Sequence, residues 1–301
     1  MDKDQLLKLN PEQACNRIEH FIRGYALTLN RDGAVVGLSG GLDSAVVLKL
    51  CIKALGTKRV KAILLPERDS QKLNIKDARN LCKSLNIDYV MKKITLPLWA
   101  LGVYRLFPPA FMFPKSAINK FIAKTISKLS KDMGQQPFMA SMEGGHRQLA
   151  KPVAFIRIKN RLRAGALFYY SELYNYLLVG TANKSEWLTG LFVKYGDGIA
   201  DIMPLLDLYK TQVISMAEYL QLPENIISKQ PSPDLAGNLT DEQLLNLPYQ
   251  KLDLVLAGIE HNLTFGHISE IAAVSIEEIE QVQAMVNKSE WQRQSPVSLN
   301  F

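Results

Sequence analysis

Residues 39 to 44 read SGGLDS, so two adjacent glycines, two hydroxyls and one carboxylate fall within six positions. Each type contributes to one chemistry. Glycines let the backbone approach an anion closely, the Ser39 and Ser44 hydroxyls are donors to it, and Asp43 is a hard oxygen ligand suited to magnesium. The apolar run AVVGL precedes this stretch and AVVLKLCIKAL follows it, which puts it at a strand-to-helix junction. A helix N-terminus adds unpaired N–H groups and a partial positive charge. No lysine follows the glycines and GxxxxGK[ST] is absent, so this is not the loop of ordinary P-loop NTPases. Six residues alone also fit a tight turn capped by Ser44. The strand before and the helix after favour a phosphate site.

The elements that would position such a site alternate. The spacing of Ile18, Phe21, Ile22 and Tyr25 predicts a helix over 12–29, and 34–38 reads as a buried strand. VKAILLP at 60–66 predicts a second strand, NIKDARNLCKSLN at 74–86 a helix, and IDYVMKKI at 87–94 a third strand. After Pro152 a long helix to about Tyr174 precedes the strand YLLVGT, and a helix is expected over 207–220. Alternation of this kind predicts an α/β fold, a doubly wound parallel sheet with helices on both faces. Right-handed crossovers place the loop after the first strand at the carboxyl edge, where such sheets bind ligands. From Thr240 onward the pattern is all-helical.

The chain has 301 residues, 47% hydrophobic and 22% charged, enough for a full core; 1–301 is expected to form a single domain. It opens without a basic, then apolar, leader and has no uncharged apolar span of eighteen residues, which points to a cytoplasmic protein. Cys15, Cys51 and Cys82 are widely spaced and form no CxxC, so neither a zinc site nor a disulfide framework is indicated. The formal net charge of +7 concentrates between Trp99 and Lys151, where eight basic residues face two acidic ones. Within that aromatic- and proline-rich stretch, 99–152, Lys120, Lys124, Lys128 and Lys131 share one helical face, opposite Ile118, Phe121, Ile122, Ile126 and Leu129. A solvated cap helix, an anionic membrane surface or an acidic partner all suit such a face.

SGGLDS resembles the signature of the ATP pyrophosphatase family, whose Rossmann-like fold grips the pyrophosphate released when ATP adenylates a substrate. The block GTANKSEWLTGLFVKYGDGIADIMPLLDLYKTQV at 180–213 narrows the resemblance to NAD synthetases, with KYGDG highly specific to them. The resemblance covers everything except roughly 99–152, which reads as an insertion. It implies that Ser39, Gly40, Gly41, Asp43, Ser44, Thr181, Lys210 and Ser232 contact ATP, and that Asp43 and Glu186 hold magnesium. Asp43, Glu186 and Lys210 would carry catalysis, because a metal and a lysine neutralise charge developing on the leaving pyrophosphate. Arg161, Lys194, Asp197 and Asp201 match positions on the acid-substrate side. Taken singly, Glu186 also fits a solvated helix residue and Lys194 a surface charge.

The implied reaction is amidation of deamido-NAD through an acyl adenylate, releasing pyrophosphate and then AMP. Relatives that use glutamine carry a nitrilase-like domain for which 301 residues leave no room, so free ammonia or a separate amidotransferase is the expected nitrogen source. A homodimer is implied too. Three departures lie on the acid side, the first being the insertion, since the segment before Arg157 is usually much shorter in the family. The family usually has Asn where this chain has Arg157, and its His-Lys pair near the C-terminus aligns with Trp291 and Gln292. Losing two cations removes charge-assisted contacts worth roughly 1.5–3 kcal/mol each, which leaves an amide ligase for another carboxylic acid as the alternative. A nucleic-acid enzyme is disfavoured, since no Cys pair for sulfur chemistry is present and KYGDG points elsewhere; intact Asp43, Glu186 and Lys210 disfavour a non-catalytic nucleotide binder.

Overall fold

Four parallel strands, β1 (Gly33–Gly37), β2 (Val60–Leu64), β3 (Tyr89–Met91) and β4 (Tyr176–Val179), form one sheet in the order β3-β2-β1-β4. The computed structural model describes residues 2–107, 112, 124–125, 128–129, 131–132, 137–143, 146–231 and 240–299. Strand side chains alternate between two apolar cores, as a sheet covered on both faces requires. Ala34, Val36, Ala62, Leu64, Leu177 and Val179 enter one core, with Ile18 and Ile22 of α1 (Pro11–Thr28), Leu48 of α2 (Leu42–Leu55) and Leu81 of α3 (Lys72–Ser84). Val35, Ile63 and Leu178 point the other way, against Phe155 and Tyr170 of α4 (Ala150–Tyr174).

The strands are shorter than the apolar runs that announce them. β2 stops at Leu64, before Pro66, which has no N–H to give a ladder. β3, at the sheet edge, keeps three of its eight expected residues. The long helix begins at Ala150, not after Pro152, because Pro152 falls in the first turn, where N–H groups have no intrahelical acceptor.

Short α5 (Lys184–Thr189) follows β4, and α6 (Lys210–Tyr219) begins three residues later than the spacing predicts. Leu205 to Leu208 form a turn, in which the Leu208 N–H bonds the Leu205 carbonyl at 3.0 Å, before the helix can start. The C-terminal region comprises α7 (Asp241–Leu245), α8 (Tyr249–Glu260), α9 (Phe265–Ala272) and α10 (Ile276–Arg293). These helices share a second apolar centre (Leu245, Leu252, Leu256, Ile268, Ile279, Met285) with Met139 and Met142 of the short helix Pro137–Glu143 and with Tyr209. The expected basic helix of the insertion lies largely outside the described residues; Lys124, Lys128 and Lys131 are exposed. Among the described residues no helix is long and apolar enough to cross a membrane.

Leu178 joins the central strand pair to the α4 core and is buried. Leu178→Ala is expected to lower unfolding stability by about 2–5 kcal/mol, read from the shift in urea midpoint.

Candidate active site

The strand order reverses between β1 and β4, so the loops leaving their carboxyl ends are neighbours at a topological switch point. The first of these loops is SGGLDS. Gly40 adopts φ +86°, and a Cβ there would fall 2.2 Å from the Asn74 carbonyl oxygen. Only glycine fits both demands. Gly41 caps α2 without a side-chain hydrogen bond, leaving a glycine backbone at the helix N-terminus. The hydroxyls of Ser39 and Ser44 lie 3.1 Å apart; Ser44 Oγ donates to the Gly41 carbonyl and accepts from the Ser39 N–H. Lys229 holds the loop from below, donating to the Gly40 carbonyl at 2.8 Å and to Asp77 Oδ2 at 2.5 Å.

The second loop carries Thr181 and brings Glu186 beside the first. Asn183 caps α5 through a reciprocal capping box: its Oδ1 accepts the Glu186 N–H at 3.0 Å, and Glu186 Oε2 accepts the Asn183 N–H at 3.3 Å. The Asn183 amide also donates to Asp43 Oδ1 at 3.1 Å. Lys210 completes the group, donating to Asp43 Oδ2 and lying 3.9 Å from Glu186 Oε1. Beneath them a buried hub fixes two helix starts. Asp253 accepts from Ser185 Oγ at 2.5 Å and from the Thr211 N–H and hydroxyl at 2.8 Å, while Ser185 Oγ accepts the Lys210 N–H at 2.9 Å.

Charge at this point is unbalanced. Burial, reinforced by the neighbouring Asp43 carboxylate, pushes the Glu186 carboxyl well above the ordinary carboxylate range. Burial also pulls the Lys210 ammonium down, but Asp43 and Glu186 outweigh it and hold the group above an ordinary lysine. Asp241, hydrogen-bonded to the Tyr249 hydroxyl at 3.1 Å, adds a third carboxylate to the field around Lys210, and burial raises it too. The backbone N–H of Asp241 bonds the Pro231 carbonyl at 3.1 Å. Three carboxylates around one ammonium leave a negative surplus, which a hard divalent cation on Asp43 and Glu186 would relieve.

On the other face of the sheet, α4 is clamped to the loop after β2 by a fully buried ion pair. Lys159 Nζ donates to Glu67 Oε1 at 2.9 Å and to Asp69 Oδ2 at 3.2 Å, and the Tyr104 hydroxyl donates to Glu67 Oε2 at 2.7 Å. That clamp sets the face carrying Arg157 and Arg161. Arg161 Nε donates to the Lys194 carbonyl at 3.3 Å, and Lys194 Nζ to the Trp291 carbonyl at 2.8 Å. Asp197 accepts the Val193 N–H at 2.7 Å and the Asn160 amide at 3.2 Å, closing the KYGDG turn; Asp201 accepts the Leu178 N–H at 2.8 Å. Ser232 lies outside the described residues.

Sequence reasoning passed over Asn183, Lys229, Asp241, Asp253 and the Lys159 clamp. Asn183 had a local signal, since NKSE is a capping box read at face value. Asp253 had a weaker one, a lone carboxylate in the apolar stretch LDLVLAGI. The sharpest test of the loop is Gly40→Ala: the missing space and the positive φ together are expected to weaken ATP binding by about tenfold or more, measured by ATP titration of the folded variant.

The sequence matches the NAD synthase family over residues 14–103 and 115–296. Between the two matched segments, residues 104–114 lie outside the match. An "NH(3)-dependent NAD(+) synthetase" of Thermotoga neapolitana is 42% identical over 282 residues, covering 93% of this chain and 94% of that one. Among solved structures, an NMN synthetase of Francisella tularensis superposes with a TM-score of 0.71 at 27% identity, covering 98% of this chain and 100% of that chain. An NH3-dependent NAD synthetase of Campylobacter jejuni, solved with a nitrate ion, gives 0.67 at 27% identity over 97% of this chain and 100% of its own. With a phosphate-type loop at the switch point, Lys210 between two carboxylates, and these matches along nearly the whole sequence, the chain belongs to the NAD synthase family.

Proposed function

We propose that the chain amidates the nicotinate carboxylate of deamido-NAD with ammonia, at the expense of ATP. The observation that carries this reading is Lys210 set between Asp43 and Glu186 at the mouth of the glycine loop. In the first step a carboxylate oxygen attacks the α-phosphorus of ATP, and the bond to the β-phosphate breaks to release pyrophosphate. Ser39, Gly40, Gly41, Ser44, Thr181 and Ser232 are assigned to the ATP phosphates and nucleoside. Lys210 neutralises charge that builds on the leaving pyrophosphate.

Asp43 and Glu186 would hold magnesium, which when bound supplies charge neutralisation at the phosphates. In the second step ammonia adds to the acyl carbon, the acyl–adenylate bond breaks, AMP leaves, and the nitrogen sheds a proton to solvent. No side-chain nucleophile enters either step; holding both substrates in one cleft makes the first effectively intramolecular. Arg161, Lys194, Asp197 and Asp201 are assigned to the acid substrate, the last two shaping its cleft through backbone bonds.

The likeness to an NMN synthetase favours one second reading, a ligase whose acid is a mononucleotide. A homodimer is supported by exposed Tyr169 and Leu173 on α4 and exposed Phe21 and Tyr25 on α1, apolar surface that a second copy would cover. Ammonia is the nitrogen donor, whether free or delivered by a separate amidotransferase.

Product analysis with ATP, magnesium, ammonium and deamido-NAD is expected to give NAD, AMP and pyrophosphate. Asp43→Asn should lower that rate by about 100-fold or more. NAD formation that survives Asp43→Asn unchanged would remove the proposed metal and lysine partner from the mechanism. Glu186→Gln is expected to raise the magnesium concentration needed for half-maximal rate by about tenfold, with the protein still folded by circular dichroism.

A further inference from the structure

The glycine loop is held on its far side by a charged pair to which no step of the reaction gives a task. Lys229 lies just after the short helix Glu224–Ile227 and reaches a loop 189 residues earlier in the chain. Its ammonium donates to the Gly40 carbonyl at 2.8 Å, to Asn74 Oδ1 at 3.2 Å and to Asp77 Oδ2 at 2.5 Å. An ammonium has three protons, so these three acceptors occupy it fully and leave none for a ligand. Asp77 is closed in the same way. Buried on α3, it takes Lys229 on Oδ2 and the Asn225 amide on Oδ1 at 3.1 Å. The pair is a fixture beneath the loop, with no free donor or charge to offer the cleft.

What it fixes is the plane of one peptide. A peptide bond is planar and trans, so the Gly40 carbonyl and the Gly41 N–H point in opposite directions. With glycine on both sides of this bond, no Cβ opposes turning the peptide over. Lys229 takes the carbonyl on one side, and the Gly41 N–H is found on the other, donating to Ser39 Oγ at 3.2 Å. Ser39 Oγ lies 3.1 Å from Ser44 Oγ, so that N–H faces the hydroxyls assigned to the ATP phosphates. Backbone N–H groups turned one way make an anion-binding concavity, whereas a carbonyl turned into it would set the negative end of a dipole against a phosphate. Asn74 works toward the same end: its main chain walls in Gly40, and its side chain bonds the same ammonium.

We propose that Lys229 and Asp77 are positioning residues for the phosphate loop, holding the Gly40–Gly41 peptide with its carbonyl turned away from the cleft and its N–H toward the ATP phosphates. That role rests on the assignment of SGGLDS to those phosphates. Lys229 also stands two residues before Pro231, whose carbonyl accepts the Asp241 N–H, so the residue that orients the loop anchors the start of the connection beside it.

The test is calorimetric titration of Lys229→Met, a side chain of similar length without the charge, with pyrophosphate, with ATP and with deamido-NAD, all in the presence of magnesium. Lys229→Met is expected to bind pyrophosphate and ATP about tenfold more weakly, as loss of a charge-assisted bond predicts, and to raise the KM for ATP alike. Affinity and KM for deamido-NAD should change by no more than about twofold. Unchanged pyrophosphate and ATP affinities in the folded variant would overturn the proposal. Equal weakening of ATP and deamido-NAD would overturn it too, because that is general loosening of the cleft. Lys229→Met leaves Asp77 a buried carboxylate without its cation; should it fail to fold, the double variant with Asp77→Asn, which removes both charges, is read by the same ratio of affinities. Lys229→Cys supplies the rescue. Alkylation with bromoethylamine rebuilds an ammonium at lysine's length, and native Cys15, Cys51 and Cys82 are buried. Pyrophosphate affinity should return on alkylation, and affinity that stays low in fully alkylated protein counts against the proposal. Wild-type protein that binds ATP and pyrophosphate but forms no NAD would sink the amidation reading and not this one; wild-type protein that binds neither would sink the phosphate assignment and the positioning role together.

Discussion

Lys210 is the group on which the rest of the site depends. Its ammonium is 2% exposed and sits between the carboxylates of Asp43 and Glu186, so it joins the loop after β1 to the loop after β4. An unpaired buried ammonium would be prohibitive, and so would two facing carboxylates without it. Each loop is therefore held in place partly by the charge of the other. The hub at Asp253 carries the same logic into the backbone, because it fixes the starts of α5 and α6 through Ser185 and Thr211. Catalytic placement and the docking of the helical C-terminal region onto the sheet are one electrostatic arrangement.

The two ends of the cleft are built differently. The loop after β1 is made of backbone geometry: a glycine with positive φ, an uncapped helix start and hydroxyls bonded to one another. The region around Arg161 and Lys194 is made of side chains reaching across elements, from α4 to the KYGDG turn, to α10 and to helix Pro137–Glu143.

Much of this was legible in the sequence, and the failures have physical reasons. Alternating apolar runs gave the parallel sheet because buried strands in such a sheet must be apolar on both faces. Strand ends were overestimated where hydrogen-bonding partners run out, as at the β3 edge, a matter of pairing that hydropathy does not record. SGGLDS announced its own chemistry through its neighbours. Glu186 was found through a motif, and its orientation could have been read from Asn183 three residues earlier. The partners of Asp253 and Lys229 were out of reach, since they lie 68 and 42 residues away for the first and 189 and 152 for the second. Long-range pairs of that kind leave no periodicity in a single sequence.

The bond from the Asp241 N–H to the Pro231 carbonyl brings the two ends of one connection together just outside the site. With Lys229 anchored to the glycine loop and Asp241 to Tyr249, both flanks are fixed independently of what lies between. The entropy of closing that loop is met by contacts outside it, and it grows only slowly with length: each doubling costs about 0.6 kcal/mol. Lys229 and Asp241 thus tie the glycine loop and Tyr249 to the two flanks of one connection, so a change at either anchor is felt on both sides of Lys210.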